Sequence, residues 1–548
     1  MKIIHSLIVL SFIIFSACSG SDKEKSKGLH NIGSVASAHP IASKAGLDIL
    51  NKGGNAFDAA IAVASTLNVV EPMMSGIGGY GTILIYDAKN KKVRYLNPSG
   101  RFPLKTNSDL MRAPARDFMK NRVGPKSIST PGNLNAWEDM HKKYGEIAWK
   151  ELFNSAIEYA ENGFTISSNT ANWIKMAFDD FSEYTKSFYG EKGRPLNEGD
   201  KLVQDDLGKT FRLIATEGAD PFYNGSLAQA IDAQMKKVES FLSIEDLRNN
   251  KAEWWEPIKF NYRGYDVYTA GLPANSFAAF VNLGLMNQLS AEDLGHNSAE
   301  YLHLFAEMAK ESYKARLTYS FDPEIKTSPL DSLLSDKVMK MMAGELNKTQ
   351  ASEFVPPFSE ESLNTTHFTV ADKWGNVVSA TQTLGNLFGS RIMVEGAGIW
   401  LNNSMAYSTF EPKGNPMDAF AGRHKLSGDC PVIIIKDGVP WAALGSPGGH
   451  TITQNVPQII FNLIDFNMSM QEAIDAPKIS FVEPNIIRIE DELSGAIVRS
   501  LEDKGHTLKK GRIGNATGIK IIRRGDTINH FDVGIDKRGE GRNAIVDH

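Results

Sequence analysis

Cysteine is almost missing: the 548 residues hold only Cys18 and Cys430. A disulfide framework and a thiolate metal cluster are both excluded, so stability must come from the core. There is no HExxH helix and no paired His/Asp motif, and no metal site is expected. Charge of one sign is also lacking, with 59 basic residues against 64 acidic ones mixed along the chain. That balance gives no electrostatic footprint for nucleic acid or an anionic membrane, and leaves a small molecule or short peptide as the expected partner. No internal repeat is visible. What is present is an ordinary globular composition, 42% hydrophobic and 22% charged, on a chain long enough for several layers.

Long hydrophobic runs are missing too. The N-terminal "MKIIHSLIVLSFIIFSACSG" has Lys2, an apolar run from Leu7 to Phe15 and then small residues, which reads as a secretory signal rather than a membrane span. Ser16-Ala17-Cys18 before a charged stretch resembles a bacterial lipoprotein cleavage site. Residues 1–18 are therefore expected to be a signal peptide, with Cys18 the lipidated first residue and 19–30 a polar linker. A plain cleaved signal with an incidental cysteine is the alternative. The expected location is the periplasm or cell envelope, with membrane contact only through the lipid.

Further on, "HPIASKAGLDILNKGG" predicts an amphipathic helix, and "AFDAAIAVASTLNVVEP" a helix apolar all round and therefore buried. "TILIYD" and "KVRYLN" predict strands. Between helix and strands, Gly76, Gly78 and Gly81 match GxGxxG, but a dinucleotide site needs a strand before the glycines and a helix after them. The reversed order predicts a tight turn. From Pro103 to Leu346 the periodicity is mainly helical, with a strand pair in "KFNYRGYDVYTAG"; Asn347 to Asn364 is a polar linker; strands and one strong helix, "TITQNVPQIIFNLIDF", follow.

The stretch "LNTTHFTVADKWGNVVSATQTLGNLFG" reads as a hairpin. With its loop centred on Trp374, Thr365 falls opposite Thr383. Alternation places Thr365, His367, Thr369, Ser379, Thr381 and Thr383 on one face, and Phe368, Val370, Val378 and Ala380 on the other. Directly opposed residues stand roughly 5 Å apart at Cβ, within reach of a hydroxyl hydrogen bond. The plain alternative is a solvated face of threonines that simply favour strands. Later, "WAALGSPGGHTITQN" runs strand, glycine turn, helix, so the N–H groups of Gly448 and Gly449 can converge on an oxyanion. It is not a GxSxG elbow, because Leu444 stands two residues before Ser446.

The run Thr365-Thr366-His367, Gly375-Asn376, Val378-Ser379, Thr381, Thr383-Leu384 and Phe388-Gly389 resembles the processing-site signature of γ-glutamyltranspeptidases. "HPIASKAGLDILNKGGNAFDAAIA", "VVEPMMSGIGGYG", "STPGNLNAWEDMHKKYG", "GIWLNNSM" and "GSPGG" follow that family's order. The resemblance implies an α/β N-terminal-nucleophile hydrolase: an αββα four-layer sandwich cut by itself between Asn364 and Thr365. A large piece, 31–364, and a small piece, 365–548, would form one intertwined catalytic unit. Cutting would free the α-amine of Thr365, whose pKa of roughly 8 suits it to act as base for its own hydroxyl. By the same resemblance Thr365 attacks the γ-amide of glutathione or a related compound, Thr383 orients it, and Gly448 and Gly449 hold the oxyanion. The acyl group passes to water or an amino-acid or peptide amine, and no cofactor enters. His367 is expected to brace the strand.

The substrate pocket departs from the family pattern. Gly385 replaces an Asn or Glu, and "NNSMAYS" places Ser404 and Tyr407 where a Gln or Glu and an Asp hold the substrate ammonium. "LSGDCP" keeps only Ser427 of two carboxylate-binding serines, and the family's Arg has Ser99 in its place, with Arg101 two residues on. Losing the Asp removes a charge-assisted bond worth about 1.5 to 3 kcal/mol unless Asp429 or Glu411 substitutes. Two alternatives to γ-glutamyl chemistry follow: an amidohydrolase or acylase of the same family acting on a non-glutamyl amide, and an inactive surface binding module.

Overall fold

The computed structural model describes residues 32–354, 364–482 and 485–541. The signal peptide, Cys18 and the linker through residue 30 lie outside the described residues, as do residues 355–363. No helix among the described residues is long and apolar enough to cross a membrane.

Strands rich in Val, Ile and Thr build two antiparallel six-stranded sheets. The first runs in the order Gly33–Ser37, Thr366–Asp372, Val377–Thr383, Tyr80–Asp87, Lys92–Asn97, Glu253–Trp255. The second runs Thr527–Ile535, Thr517–Arg524, Val439–Gly445, Val432–Lys436, Tyr265–Thr269, Ile258–Tyr262. Strands from both sides of the Asn364–Thr365 bond share each sheet and interleave in the first.

Alternation sends neighbouring residues of one strand into different cores. In the first sheet Phe368, Val370, Val378 and Ala380 pack outward against the helix Ala56–Val70, while Ala371, Val377 and Leu84 point inward. In the second, Val432, Ile434, Ala442 and Leu444 pack outward against the helices Phe277–Asn287, Ala299–Tyr319 and Ile452–Ile464. The inward Ile433, Ile435, Ala443, Ile519 and Ile521 meet the first sheet's inner face. The layers are thus helix, sheet, sheet, helix, the αββα sandwich that the family resemblance implies.

The helix Ala56–Val70 is buried along its whole length, as its uniformly apolar sequence predicts. Its start is fixed by a capping box: Asn55 accepts from the Asp58 N–H while Asp58 accepts from the Asn55 N–H. Asp372 ties the hairpin to that same helix end. One carboxylate oxygen accepts the Trp374 and Asn376 N–H groups, both at 2.9 Å, and the other accepts the Ala56 N–H at 3.0 Å. The glycine turn follows the helix and precedes a strand, as expected. Its tightness comes from packing, since a Cβ on Gly78 would lie 2.1 Å from the Trp400 carbonyl oxygen.

The hairpin register is as predicted, with His367 opposite Thr381 and Thr366 opposite Gln382. The solvated-threonine alternative is overturned: the hydroxyl face lies between the sheets and is fully buried. His367 spans this layer, its Nδ1 2.9 Å from Thr381 Oγ1 and its Nε2 3.2 Å from Thr369 Oγ1. Ser379 donates onward to the Leu444 carbonyl of the second sheet at 3.2 Å. Burial holds the imidazole pKa down at about 3, so the ring is a neutral strut. Gly445 makes room for it: a Cβ there would lie 2.3 Å from the imidazole Cε1.

Gly445→Ala is therefore expected to destabilise the fold by about 1 to 3 kcal/mol, the usual cost of overpacking a rigid layer. Equilibrium unfolding in urea measures it. An unchanged midpoint would mean that the sheets separate freely at this point.

Candidate active site

The Asn364–Thr365 peptide bond is intact in this structure, and two hydroxyls converge on its carbonyl oxygen. Thr365 Oγ1 lies 2.7 Å from Asn364 O, and Thr383 Oγ1 lies 2.8 Å from the same atom. The two hydroxyl oxygens stand 3.3 Å apart. Thr383 Oγ1 also accepts the Gly385 N–H at 2.8 Å, which aims its own proton at the carbonyl. Thr365 Oγ1 thus lies beside the Asn364–Thr365 bond, with a second donor, Thr383, on the same carbonyl oxygen.

Asn364 and Thr365 border a cavity of about 150 Å³ whose wall includes Glu71, Pro447, Gly448, Thr451 and Arg512. Gly448 and Gly449 have φ of +136° and +57°, conformations that favour glycine. A Cβ on Gly448 would also lie 2.8 Å from Thr451 Oγ1. This turn puts Gly448 on the cavity wall that Thr365 also lines, just before the helix Ile452–Ile464.

The chain as a whole is similar to known proteins. The Gamma-glutamyltranspeptidase family model matches residues 42–546. The chain belongs to the γ-glutamyltranspeptidase family. It is 34% identical to the glutathione hydrolase proenzyme of Bacillus subtilis over 92% of this chain and 90% of that one. It is 32% identical to the Acylase ACY 1 proenzyme of Pseudomonas sp. (strain SE83), covering 88% of each. Among solved structures it is similar to cephalosporin acylase from Bacillus halodurans, with a TM-score of 0.85, 27% identity and coverage of 97% of this chain and 98% of that one.

Against the γ-glutamyltranspeptidase pattern, the predicted recognition residues fall in several places. Arg101 is corrected: its guanidinium pairs with Glu324 at 2.8 Å and Glu253 at 3.1 Å, and it lines a separate cavity with His424. Two carboxylates already neutralise it, so it is not available to a substrate beside Thr365. Ser404 is likewise committed, donating to Ser129 Oγ while Asn402 Oδ1 accepts its N–H. Gly385 contributes geometry alone. Its φ is +101°, and a Cβ would lie 2.2 Å from Asn403 Oδ1, so the Asn403 amide fills the space a side chain would take. Ser427 is held by its backbone to Pro273 and Asn275. Tyr407 packs edge-on to His450 with ring centroids 5.5 Å apart. Of the two proposed substitutes, Asp429 is buried and accepts from Thr82, and Glu411 is exposed.

Glu71 and Arg512 were not singled out by the sequence. The Thr366 hydroxyl donates to Glu71 at 2.9 Å, and burial pushes that carboxyl up to about 7. Only the quoted "VVEP" motif carried a hint of it. Two His–carboxylate groups invisible to local spacing also assemble. His303 and His506 are hydrogen-bonded at 2.8 Å beside the Glu307–Lys310 ion pair. His424 sits between Asp322, at 3.1 Å, and Glu253, at 2.9 Å. Both groups are nodes of hydrogen bonds and ion pairs.

Burial alone would lower the His424 pKa, but the hydrogen bonds to Asp322 and Glu253 outweigh it and hold the ring up at about 9. An unfolded histidine titrates near ~6.5, so this stabilisation is complete below that pH and is lost as pH rises through the folded value. His424→Gln should therefore lower the melting temperature strongly at about pH 6 and much less at about pH 10, the proton-linked part being on the order of 3 kcal/mol. A difference independent of pH would refute this account.

Proposed function

We propose that the protein is a self-cutting threonine amidohydrolase that cleaves the γ-glutamyl amide of glutathione or a related compound and passes the acyl group to water or an amine. The convergence of Thr365 and Thr383 on the Asn364 carbonyl carries this reading. In the first reaction Thr365 Oγ1 bonds to the Asn364 carbonyl carbon, the C–N bond breaks, and the hydroxyl proton ends on the departing Thr365 nitrogen. Water then cleaves the resulting ester, leaving the Asn364 carboxylate, the free Thr365 hydroxyl and its α-amine. That amine is the base the uncut site lacks. In turnover it takes the Thr365 proton as Oγ1 attacks the substrate amide, while the turn at Gly448 and Gly449 receives the oxyanion.

Each half of the scheme has its own support. Two hydroxyls bond the Asn364 carbonyl oxygen, and the relatives named above are called proenzymes. Names of relatives also cover glutathione hydrolase and acylase, and the loss of an acidic residue at Tyr407 favours the second reading, an acyl donor without an ammonium group. Two intertwined pieces, 31–364 and 365–548, are part of the proposal. So is export with a lipid on Cys18, which rests on residues 1–30 alone.

Intact mass spectrometry of purified protein should show two fragments, the smaller beginning at Thr365. Thr365→Ala should remain one chain and inactive, and Thr383→Ala should cut on the order of 10² to 10³ times more slowly, the usual cost of losing one oxyanion donor. An uncut wild-type chain that nonetheless hydrolyses amides would overturn the scheme.

A further inference from the structure

Before the Asn364–Thr365 bond breaks there is no α-amine, so another group must carry the Thr365 proton in the first reaction. Among the described residues, two carboxyls line the cavity that Asn364 and Thr365 border, those of Glu71 and Glu540. Glu540 is committed to Ser167 and His39. Glu71 accepts a hydrogen bond at 2.9 Å from Thr366, the residue next to the nucleophile.

Glu71 is tied to both strands of the hairpin. It caps the C-terminus of the helix Ala56–Val70, its N–H bonded to the Leu67 carbonyl at 2.8 Å. In the turn that follows, the Met74 carbonyl accepts the Leu384 N–H at 2.9 Å and the Met73 carbonyl accepts the Phe388 N–H at 3.0 Å. Its side chain and its own segment thus hold Thr366 and Leu384, the residues directly after Thr365 and Thr383.

A helix C-terminus is a costly place for a carboxylate, because it presents the negative end of the helix dipole. Burial adds to that cost and raises the pKa to about 7, while the Thr366 hydroxyl pulls it down, Glu540 pushes it up and Arg512 pulls it down. Arg512, Arg488 and Glu540 are the other charged residues on the cavity wall, with His39 behind Glu540. A carboxyl that changes charge near neutrality is well matched to taking and returning a proton there.

We propose that Glu71 carries the proton of the self-cut, taking it from Thr365 Oγ1 through one water in the cavity and returning it to the departing Thr365 nitrogen. A cavity of about 150 Å³ exceeds several times what one water needs. As Oγ1 bonds to the Asn364 carbonyl carbon, its proton passes to the water, and a proton of the water passes to Glu71. When the C–N bond breaks, the same route runs in reverse and the nitrogen leaves as an amine, so Glu71 and the water end unchanged. Glu71 serves the cut once, and the amine it helps to free serves turnover. The inference rests on the self-cutting reading and assigns its first proton transfer.

The test uses full-length chain from cell-free synthesis, moved to a set pH, with the cut fraction followed on gels. The wild-type rate should rise with pH through about 7 and then level off, since the carboxylate is the form that accepts the proton. Glu71→Gln should cut at least about a hundredfold more slowly and lose that rise. Formate, small enough for the cavity, should speed the cutting of Glu71→Ala at least about tenfold and do nothing for Thr365→Ala. Thr366→Val removes a hydrogen bond that favours the ionised form, so its midpoint should move to higher pH while its plateau stays within about threefold of wild type. Glu71→Gln cutting at the wild-type rate, or Thr366→Val with an unmoved midpoint, would overturn the relay and leave self-cutting standing. A wild-type chain whole at every pH would overturn the self-cutting reading and the relay with it. Should Glu71→Gln fail to fold, the wild-type and Thr366→Val profiles decide alone.

Discussion

The pairing of Thr365 with Thr383 across adjacent antiparallel strands is the constraint on which the rest of the site depends. A shift of one residue would turn both hydroxyls into the outer helical layer and bring Thr366 and Gln382 to the middle. The outer face is therefore as important to catalysis as the inner one. Phe368, Val370, Val378 and Ala380, packed on the helix Ala56–Val70, leave a single register in which the apolar set is buried. Asp372 adds a second lock, because the same carboxylate closes the hairpin and holds the start of that helix. Local sequence, layer packing and the position of one oxygen atom are thus linked through seven residues of strand.

Burial then changes what those hydroxyls can do. Between two sheets they have no water to bond, so each must find a protein partner, and each bond is stronger for the low dielectric around it. His367 takes up the inner hydroxyls of Thr381 and Thr369 and leaves the outermost pair, Thr365 and Thr383, to the Asn364 carbonyl. Its neutrality matters for that role, since a protonated ring would donate from both nitrogens and could accept a proton from neither threonine. The imidazole braces the strands, and the proposed scheme gives the part of base to the α-amine of Thr365, a division of labour that the hairpin sequence alone could state but not locate.

The hairpin was legible because its information is local. Alternation and a central turn fix which residues face each other, and two strands suffice to place Thr365 opposite Thr383. Burial of the hydroxyl face was not legible, since it requires a second sheet whose strands begin at Ile258 and end at Ile535. Arg101 fails for a related reason: its partner Glu324 is 223 residues away, and nothing near Arg101 in sequence announces it. Gly385 looked like a lost recognition residue, whereas Asn403 occupies that space and the glycine's N–H positions Thr383.

These contrasts separate two kinds of site within one protein. The cutting machinery is made largely from backbone: a strand register, a turn with two positive-φ glycines, an N–H aimed at a threonine oxygen. Such features are set by the layers and persist while the layers persist. Recognition needs side chains from loops that reach the space over the sheet, and there Tyr407 stands in the place of the family's Asp while the layers keep their register. A family built this way can keep its chemistry while its acyl donor changes.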